Sequence, residues 1–243
     1  MGTSRLFVAT FAVAVVGAAM LGFAGLGYQL EWWTLKSAFT LLTWAAWIGI
    51  AGAILSVIGL AFVRPAGRTT VGLSLALVVA LATVWIPWSW KQRAGGVPAI
   101  HDITTDTQDP PSFVAILPLR AGARNPAEYG GDSVAAKQRT AYPDIQPVAL
   151  SVPPPEAFAR AKRAAESMGW TMVAADSASG RIEATAVTRF FKFKDDVVIR
   201  VRAADAGAGS RVDVRSVSRV GGSDVGTNAA RIREYVAFLR TKS

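Results

Sequence analysis

Long apolar runs separated by short polar breaks fill the first ninety residues of the chain. The runs cover residues 6–28, 39–63 and 71–90, and none of them contains Asp, Glu, Lys or Arg. A membrane-spanning helix needs about 20 apolar residues, because hydrocarbon offers no partner for backbone N–H and C=O groups. The pattern predicts a transmembrane anchor of three helices over residues 1–92.

The basic residues that flank these runs leave the orientation of the anchor open. One side has Arg5, Arg64 and Arg68, and the other has Lys36, Lys91 and Arg93. Cytoplasmic loops carry an excess of Lys and Arg, so equal numbers give no direction. The first run is longer than the apolar core of a signal peptide, about 7–15 residues, and we interpret it as a retained span.

Small residues recur every four positions in the second run, at Ala45, Gly49 and Ala53. This spacing lets another helix backbone approach closely. It favours packing within the three-helix bundle over association between copies of the chain.

Residues 93–147, here called the strap, have no persistent apolar period and are interrupted by proline. The pattern predicts an extended strap and loop, with residues 124–140 as an exposed, mobile loop. His101, Asp102 and Asp106 lie in its most polar stretch. These residue types could bind a metal, but their spacing matches no calcium or zinc signature. We favour the alternative in which Asp and Thr side chains bond nearby backbone in turns.

Residues 148–243 change to alternating and helical periods, which predict a soluble α+β domain. The fold class is a three-helix transmembrane anchor followed by an antiparallel sheet packed by two helices, in the order β-α-β-β-β-β-α. Gly169 is expected to end the first of these helices, and Asp224 or Thr227 to begin the second. The predicted strands are residues 148–152, 170–175, 181–188, 197–202 and 211–220.

Alternation in the last two strands places apolar side chains on one face of the sheet and arginines on the other. The second face has Arg200, Arg202, Arg211, Arg215 and Arg219, with Asp213 among them. Antiparallel sheets often leave one face in water, so we favour a solvated face of ion pairs. An anion-binding surface is the functional alternative.

Phe190, Phe191, Lys192, Phe193 and Lys194 alternate aromatic and cationic side chains between two predicted strands. An exposed hairpin of this composition can contact a membrane interface or a membrane partner. The alternative buries two of the rings against the final helix. Together with the five arginines, these residues form the candidate interaction surface.

Composition limits the function further. Residues 1–90 hold four of the 26 basic and one of the 17 acidic side chains, so the remaining chain carries a net charge of +6. This excess suits anionic lipid but is mixed with carboxylates, and we expect no nucleic-acid partner. The chain has no cysteine, which excludes a disulfide framework or a thiolate metal site.

Catalytic motifs are missing from the sequence. It has one histidine and no nucleophile elbow, phosphate loop or H-E-x-x-H motif. We therefore predict a non-enzymatic module, without cofactor or metal, that binds lipid or a partner protein in the cell envelope. The alternatives are a carrier of a small apolar or anionic ligand, or a hydrolase that uses His101 and Asp residues.

Several stretches of the soluble part resemble one known family. They are Gly180 to Ala186, Phe193 to Val201, Ser210 to Gly221 and Asn228 to Ile232, with the segment Ile100 to Asp106 as an entry strap. The resemblance is to the bacterial and plastid family known as domain of unknown function 1499, over about residues 100–239. It implies an extracytoplasmic domain, with the N-terminus in the cytoplasm, and brings no established reaction, cofactor or catalytic residue.

Overall fold

A computed structural model describes residues 3–62, 67–204 and 209–241. The chain divides into two compact units, residues 1–92 and residues 93–243. The strap thus belongs to the same compact unit as the C-terminal sheet. Residues 205–208, between two of the predicted strands, and the basic residue Arg64 lie outside the described residues.

Three long helices form the first unit: α1 (Thr3–Gln29), α2 (Leu35–Phe62) and α3 (Arg68–Gly95). All three are long and apolar enough to cross a membrane, which agrees with the predicted anchor. Each helix continues beyond its apolar run, and α3 carries Lys91 and Arg93 in its last turns. Long basic side chains at helix ends can reach the polar interface while the backbone stays hydrogen-bonded.

Small residues bring the helices of this unit together, as the spacing in the second run predicts. Gly49 packs so closely on α3 that an added Cβ would lie 3.0 Å from the carbonyl oxygen of Ala80. An added Cβ at Gly52 would lie 3.6 Å from Cα of Ala14 on α1. Gly49 of this row, and Gly52 beside it, therefore serve packing inside the bundle.

The second unit is an antiparallel sheet of six strands with helices packed on it, so the α+β fold class is confirmed. The strand order is β1-β6-β5-β4-β3, and β2 also pairs with β6. The elements are β1 (Asp102–Thr104), a 3-10 helix (Leu117–Arg120), α4 (Gly131–Ala141), β2 (Val148–Leu150), α5 (Pro154–Ser167), β3 (Thr171–Asp176), β4 (Arg181–Val187), β5 (Lys194–Ala203), β6 (Ser210–Ser218) and α6 (Thr227–Thr241).

One face of this sheet, the helix-side face, forms the main apolar core. Ile182, Ile199 and Val214 lie side by side across β4, β5 and β6 and are buried under α5 and α6. Trp170 stacks on Tyr235 with 5.3 Å between ring centroids. Tyr235 of α6 is fully buried, whereas its neighbour Val236 is only partly buried.

Two glycines occupy positions where only glycine fits well. Gly169 has φ +68° and ends α5, as predicted; the N–H groups of Gly169 and Trp170 bond back to Glu166 and Ala165. Gly180 has φ +66° in the β3–β4 turn, where an added Cβ would lie 2.2 Å from the carbonyl oxygen of Val201. These turns fix the edges of the sheet.

The strap differs most from its prediction. Residues 102–104 form β1 on the outer edge of β6, and residues 131–141 form helix α4, where an exposed loop is predicted. Ala135 and Gln138 of α4 are buried, and the Gln138 side chain bonds both the N–H and the C=O of Thr104. The prediction of an exposed loop is wrong for α4. The contacts that stabilise this helix join residues far apart in the sequence, and a local pattern does not reveal them.

Candidate functional site

The second face of the sheet, the strap-side face, gathers most of the charged candidates. Every second residue of β4, β5 and β6 points toward it, which places Glu183, Asp196, Asp213, Arg215 and Arg219 on this face. The strap crosses it and adds a small apolar layer of Phe113 and Ile116 against Val198 and Val217. The strap covers much of this face, so the expected exposure to solvent is wrong for most of it, whereas the expected ion pairs of its arginines are present.

Arg215 is the most deeply buried cation of this face. Its Nε and Nη2 bond the two carboxylate oxygens of Asp102 at 2.9 and 2.7 Å. The Phe113 and Tyr129 rings lie 5.3 and 5.4 Å from its guanidinium carbon. Arg215 and Asp102 are 2% and 3% exposed, so this candidate pair is closed to an external ligand.

Tyr129 covers Arg215 from the strap. Burial raises the pKa of Tyr129 to about 12, with the charge of Asp102 also raising it and that of Arg215 lowering it. Its hydroxyl is buried and lacks a hydrogen-bond partner among the residues that the structure describes. The tyrosine stays neutral at physiological pH and serves as a cover for the guanidinium.

Three arginines converge on Asp213, which is fully buried. Arg200 and Arg202 bond one of its oxygens at 2.9 Å each, and Arg211 bonds the other at 3.0 Å. Asp106 and Asp109 of the strap pair with the same arginines from the other side. Three cations thus meet three carboxylates, and the cluster has no net charge.

Asp106 also organises the turn of the strap. Its Oδ1 accepts hydrogen bonds from the N–H groups of Gln108 and Asp109, each at 3.0 Å. Burial alone would raise the pKa of Asp106, but these bonds and the charges of Arg211 and Arg200 lower it below its ordinary value. Asp106 is an ionised structural anchor, in line with the turn preference of Asp.

Asp196 receives the last pair of cations. Arg120 of the 3-10 helix bonds it at 2.6 Å, and Arg219 bonds both of its oxygens at 2.8 Å. Thr185 donates a further hydrogen bond at 2.8 Å. Arg120 was not identified from the sequence, since nothing local indicates that it pairs with a residue 76 positions away.

Glu183 binds the strap through backbone groups. It is fully buried, and its carboxylate accepts the N–H groups of Val114, Ala115 and Ile116 at 2.9–3.1 Å. Arg181 lies 3.0 Å from the same carboxylate. An anion at the start of a helical turn is favourable, and here it fixes the turn that precedes the 3-10 helix.

A second buried polar cluster lies on the helix-side face. Asp195 pairs with Arg231 of α6 at 2.6 Å, and Arg231 also bonds Ser216 and Asn228. Burial raises the pKa of nearby Asp224, whose carboxylate caps the start of α6 through the N–H groups of Gly226 and Asn228. Adjacent carboxylates, Asp195 and Asp196, therefore face opposite sides of the sheet, and each has its own arginine.

An open cavity of about 500 Å³ lies beside this cluster. Its wall includes Trp170, Ala186, Thr227, Arg231 and Glu234. Arg231 already bonds Asp195, Ser216 and Asn228, so its charge is compensated within the protein. The cavity is partly lined by apolar side chains, but Arg231 does not provide an unpaired positive charge for a ligand.

His101 is not joined to a carboxylate. Its Nδ1 is buried without a hydrogen-bond partner in the described parts of the chain, while the neighbouring Asp102 is held by Arg215 on the strap-side face. Among the same residues, no group of three His, Asp or Glu side chains has an arrangement that could hold a metal. Among the described residues, Asp102 and Asp106 are each held by an arginine rather than by His101.

The β4–β5 hairpin turns through residues 188–193. Thr188 closes the turn, with its N–H bonded to the Phe193 carbonyl and its hydroxyl accepting the Phe193 N–H. Phe191 is buried, 6% exposed, between Phe190 and Phe193, whose ring centroids lie 4.9 and 5.0 Å from its own. The expectation that all three rings are exposed is wrong for Phe191, because the rings pack on one another.

The cations of this hairpin remain in water. Arg189, Lys192 and Lys194 are exposed, and none of them forms an ion pair with a described residue. Phe190 and Phe193 are partly exposed beside them. Of the candidate interaction surface, the hairpin presents free charge, whereas the five arginines are paired within the fold.

Fold and site together define a protein with three helices long and apolar enough to cross a membrane, followed by a small α+β domain whose charged sheet face is covered by its own strap. The chain belongs to the family described as Protein of unknown function (DUF1499), whose model matches residues 102–239. This match includes the strap, the sheet and both packing helices. No curated protein and no solved structure matches the chain.

Proposed function

We propose that this protein is a non-enzymatic, membrane-tethered module of the cell envelope whose β4–β5 hairpin binds the anionic surface of the membrane. In this proposal the N-terminus faces the cytoplasm and residues 93–243 lie outside it. The observation that carries the proposal is the group of exposed cations at Arg189, Lys192 and Lys194, which form no ion pair with any described residue and lie beside partly exposed aromatic rings.

The contrast with the five arginines of the sheet supports the hairpin as the contact. Arg200, Arg202, Arg211, Arg215 and Arg219 all pair with internal carboxylates. Their charges are compensated within about 4 Å and attract an external anion only weakly. The hairpin cations form no ion pair with a described residue, so their charge is open to an external anion.

The position of the hairpin within the domain also supports it. Ser218 of β6 pairs with Asp195 at the hairpin end of the sheet, and its N–H bonds the carbonyl of His101. The chain therefore enters the domain at the end of the sheet where the hairpin turns. Residues 96–100 join the end of helix α3 to this point of the domain.

A weak contact is sufficient in such an arrangement. Each basic residue near an anionic membrane contributes about 1 kcal/mol, and salt weakens this within a Debye length. A partly inserted Phe adds apolar burial. Tethering raises the effective concentration of the surface, so a contact that is weak between separate molecules persists.

The test uses the full chain in lipid nanodiscs, since the absence of cysteine allows one fluorophore at Arg189→Cys, which removes one of the three cations and leaves Lys192 and Lys194 to bind. Nanodiscs of phosphatidylcholine are compared with nanodiscs that also contain phosphatidylglycerol. We expect quenching by spin-labelled lipid in the anionic nanodiscs at low salt and its loss at high salt. Lys192→Glu with Lys194→Glu should abolish the quenching without changing the urea midpoint.

A matched control changes the charge equally elsewhere. Lys137 and Arg163 are exposed and unpaired among the described residues, and both lie on helices. Lys137→Glu with Arg163→Glu should leave the quenching intact. Two outcomes would contradict a contact made by the hairpin. One is equal quenching in both kinds of nanodisc at low salt, and the other is a loss of quenching in the control variant as large as in the hairpin variant.

A further inference from the structure

The strap carries an exposed apolar segment close to the hairpin. Within the described part of residues 93–243, four large apolar side chains are exposed: Val114, Leu117, Leu119 and Val187, at 51%, 45%, 52% and 49%. Three of them fall within one six-residue stretch of the strap. Apolar side chains that cluster on a surface commonly mark a site of contact.

This segment is held rigidly. The N–H groups of residues 114–116 are fixed by the buried carboxylate of Glu183, and Arg120 is fixed by Asp196. Side chains between these two anchors cannot fold back into the core without breaking buried ionic contacts. Leu117 and Leu119 are therefore presented outward by the fold.

Hydrogen bonds place the segment beside the hairpin. The carbonyl of Leu119 accepts a bond from Arg219 at 2.7 Å, and the N–H of Arg219 bonds the carbonyl of Lys194 at 3.0 Å. Val187 is the register partner of Lys194. The exposed leucines, Val187 and the free cations thus lie at one end of the sheet.

We infer that Leu117, Leu119 and Val187 form a second membrane contact, inserted at the boundary between headgroups and acyl chains while the hairpin cations bind anionic headgroups. This inference rests on the proposed function and extends it from one hairpin to a two-segment surface. Apolar side chains suit the acyl-chain region of an anionic leaflet, and cations beside them suit its headgroups. Two separate contacts would also fix the tilt of the domain, which a single hairpin cannot do.

The test again uses the full chain in nanodiscs that contain phosphatidylglycerol. A single fluorophore at Leu119→Cys should shift to the blue and be quenched by lipid that carries its spin label near the headgroup. The same fluorophore at Ser133→Cys, on an exposed position of α4, should stay in water. Leu117→Ser with Val187→Ser should lower lipid quenching of an Arg189→Cys label several-fold, with an unchanged urea midpoint because both side chains are exposed.

The outcomes separate the two proposals. If the label at residue 189 responds to anionic lipid and the label at residue 119 does not, the second contact is wrong and the hairpin contact stands. If neither label responds, the proposed function itself fails. If the label at residue 119 shifts only when another protein is present, the occupant is a protein, and the inference of lipid insertion is overturned.

Discussion

Single residues in this domain compensate each other's charge with little excess. Asp102, Asp196 and Asp213 are buried carboxylates, and each is bonded by at least one arginine. A buried ion pair adds little net stability compared with an apolar pair, but removing one partner leaves an uncompensated charge away from water. The partners on this face therefore depend on each other, and losing one should be far more costly than losing an exposed pair.

Asp102→Asn should lower the free energy of unfolding by about 3–5 kcal/mol, because it leaves the buried guanidinium of Arg215 unpaired. The measurement is urea unfolding of the full chain in micelles, with and without a chelator. Glu166→Gln is the matched control, since Glu166 forms an exposed pair with Lys162, for which about 0.5 kcal/mol or less is expected. If Asp102→Asn lowers the free energy of unfolding only when no chelator is present, the strap binds a metal and the ion-pair account is contradicted.

Elements that depend on local pattern could be predicted from the sequence, and those that depend on distant contacts could not. The alternation of β5 and β6 assigns Val197 and Arg200 to opposite faces because the side-chain period of a strand is two. The same alternation cannot tell that a strap covers the arginines. Strand β1 and helix α4 are stabilised by partners such as Val217 and Thr104, which no local pattern links to them.

Helix α4 supports the strap through one side chain. Gln138→Ala should cost about 1–3 kcal/mol, because it leaves the buried N–H and C=O of Thr104 without partners. Hydrogen exchange of the Thr104 amide should become faster, while amides of β5 should change less. Gln146→Ala is the control, since Gln146 is exposed. Unchanged exchange at Thr104 would show that α4 does not hold the strap.

The molecule as a whole combines three long apolar helices with a domain that carries a net positive charge. The three spans were predictable because apolar length alone identifies them, and the family match confirms the resemblance over the domain. Apolar length and the family match do not determine the orientation of the spans, and the basic residues that flank them are equal in number on the two sides. The proposed membrane contact requires only that the domain and the hairpin share the compartment that contains the anionic leaflet they face.

Reporter fusions decide the orientation. With three spans, the ends of the anchor lie on opposite sides of the membrane, so we expect a fusion at Ser243 to report the extracytoplasmic side. A fusion between the second and third spans, at residues 64–68, should report the cytoplasm. Because the two sites are separated by a single span, each serves as the control for the other. A cytoplasmic signal at Ser243 would contradict the envelope location, and the hairpin would then have to bind the inner leaflet instead.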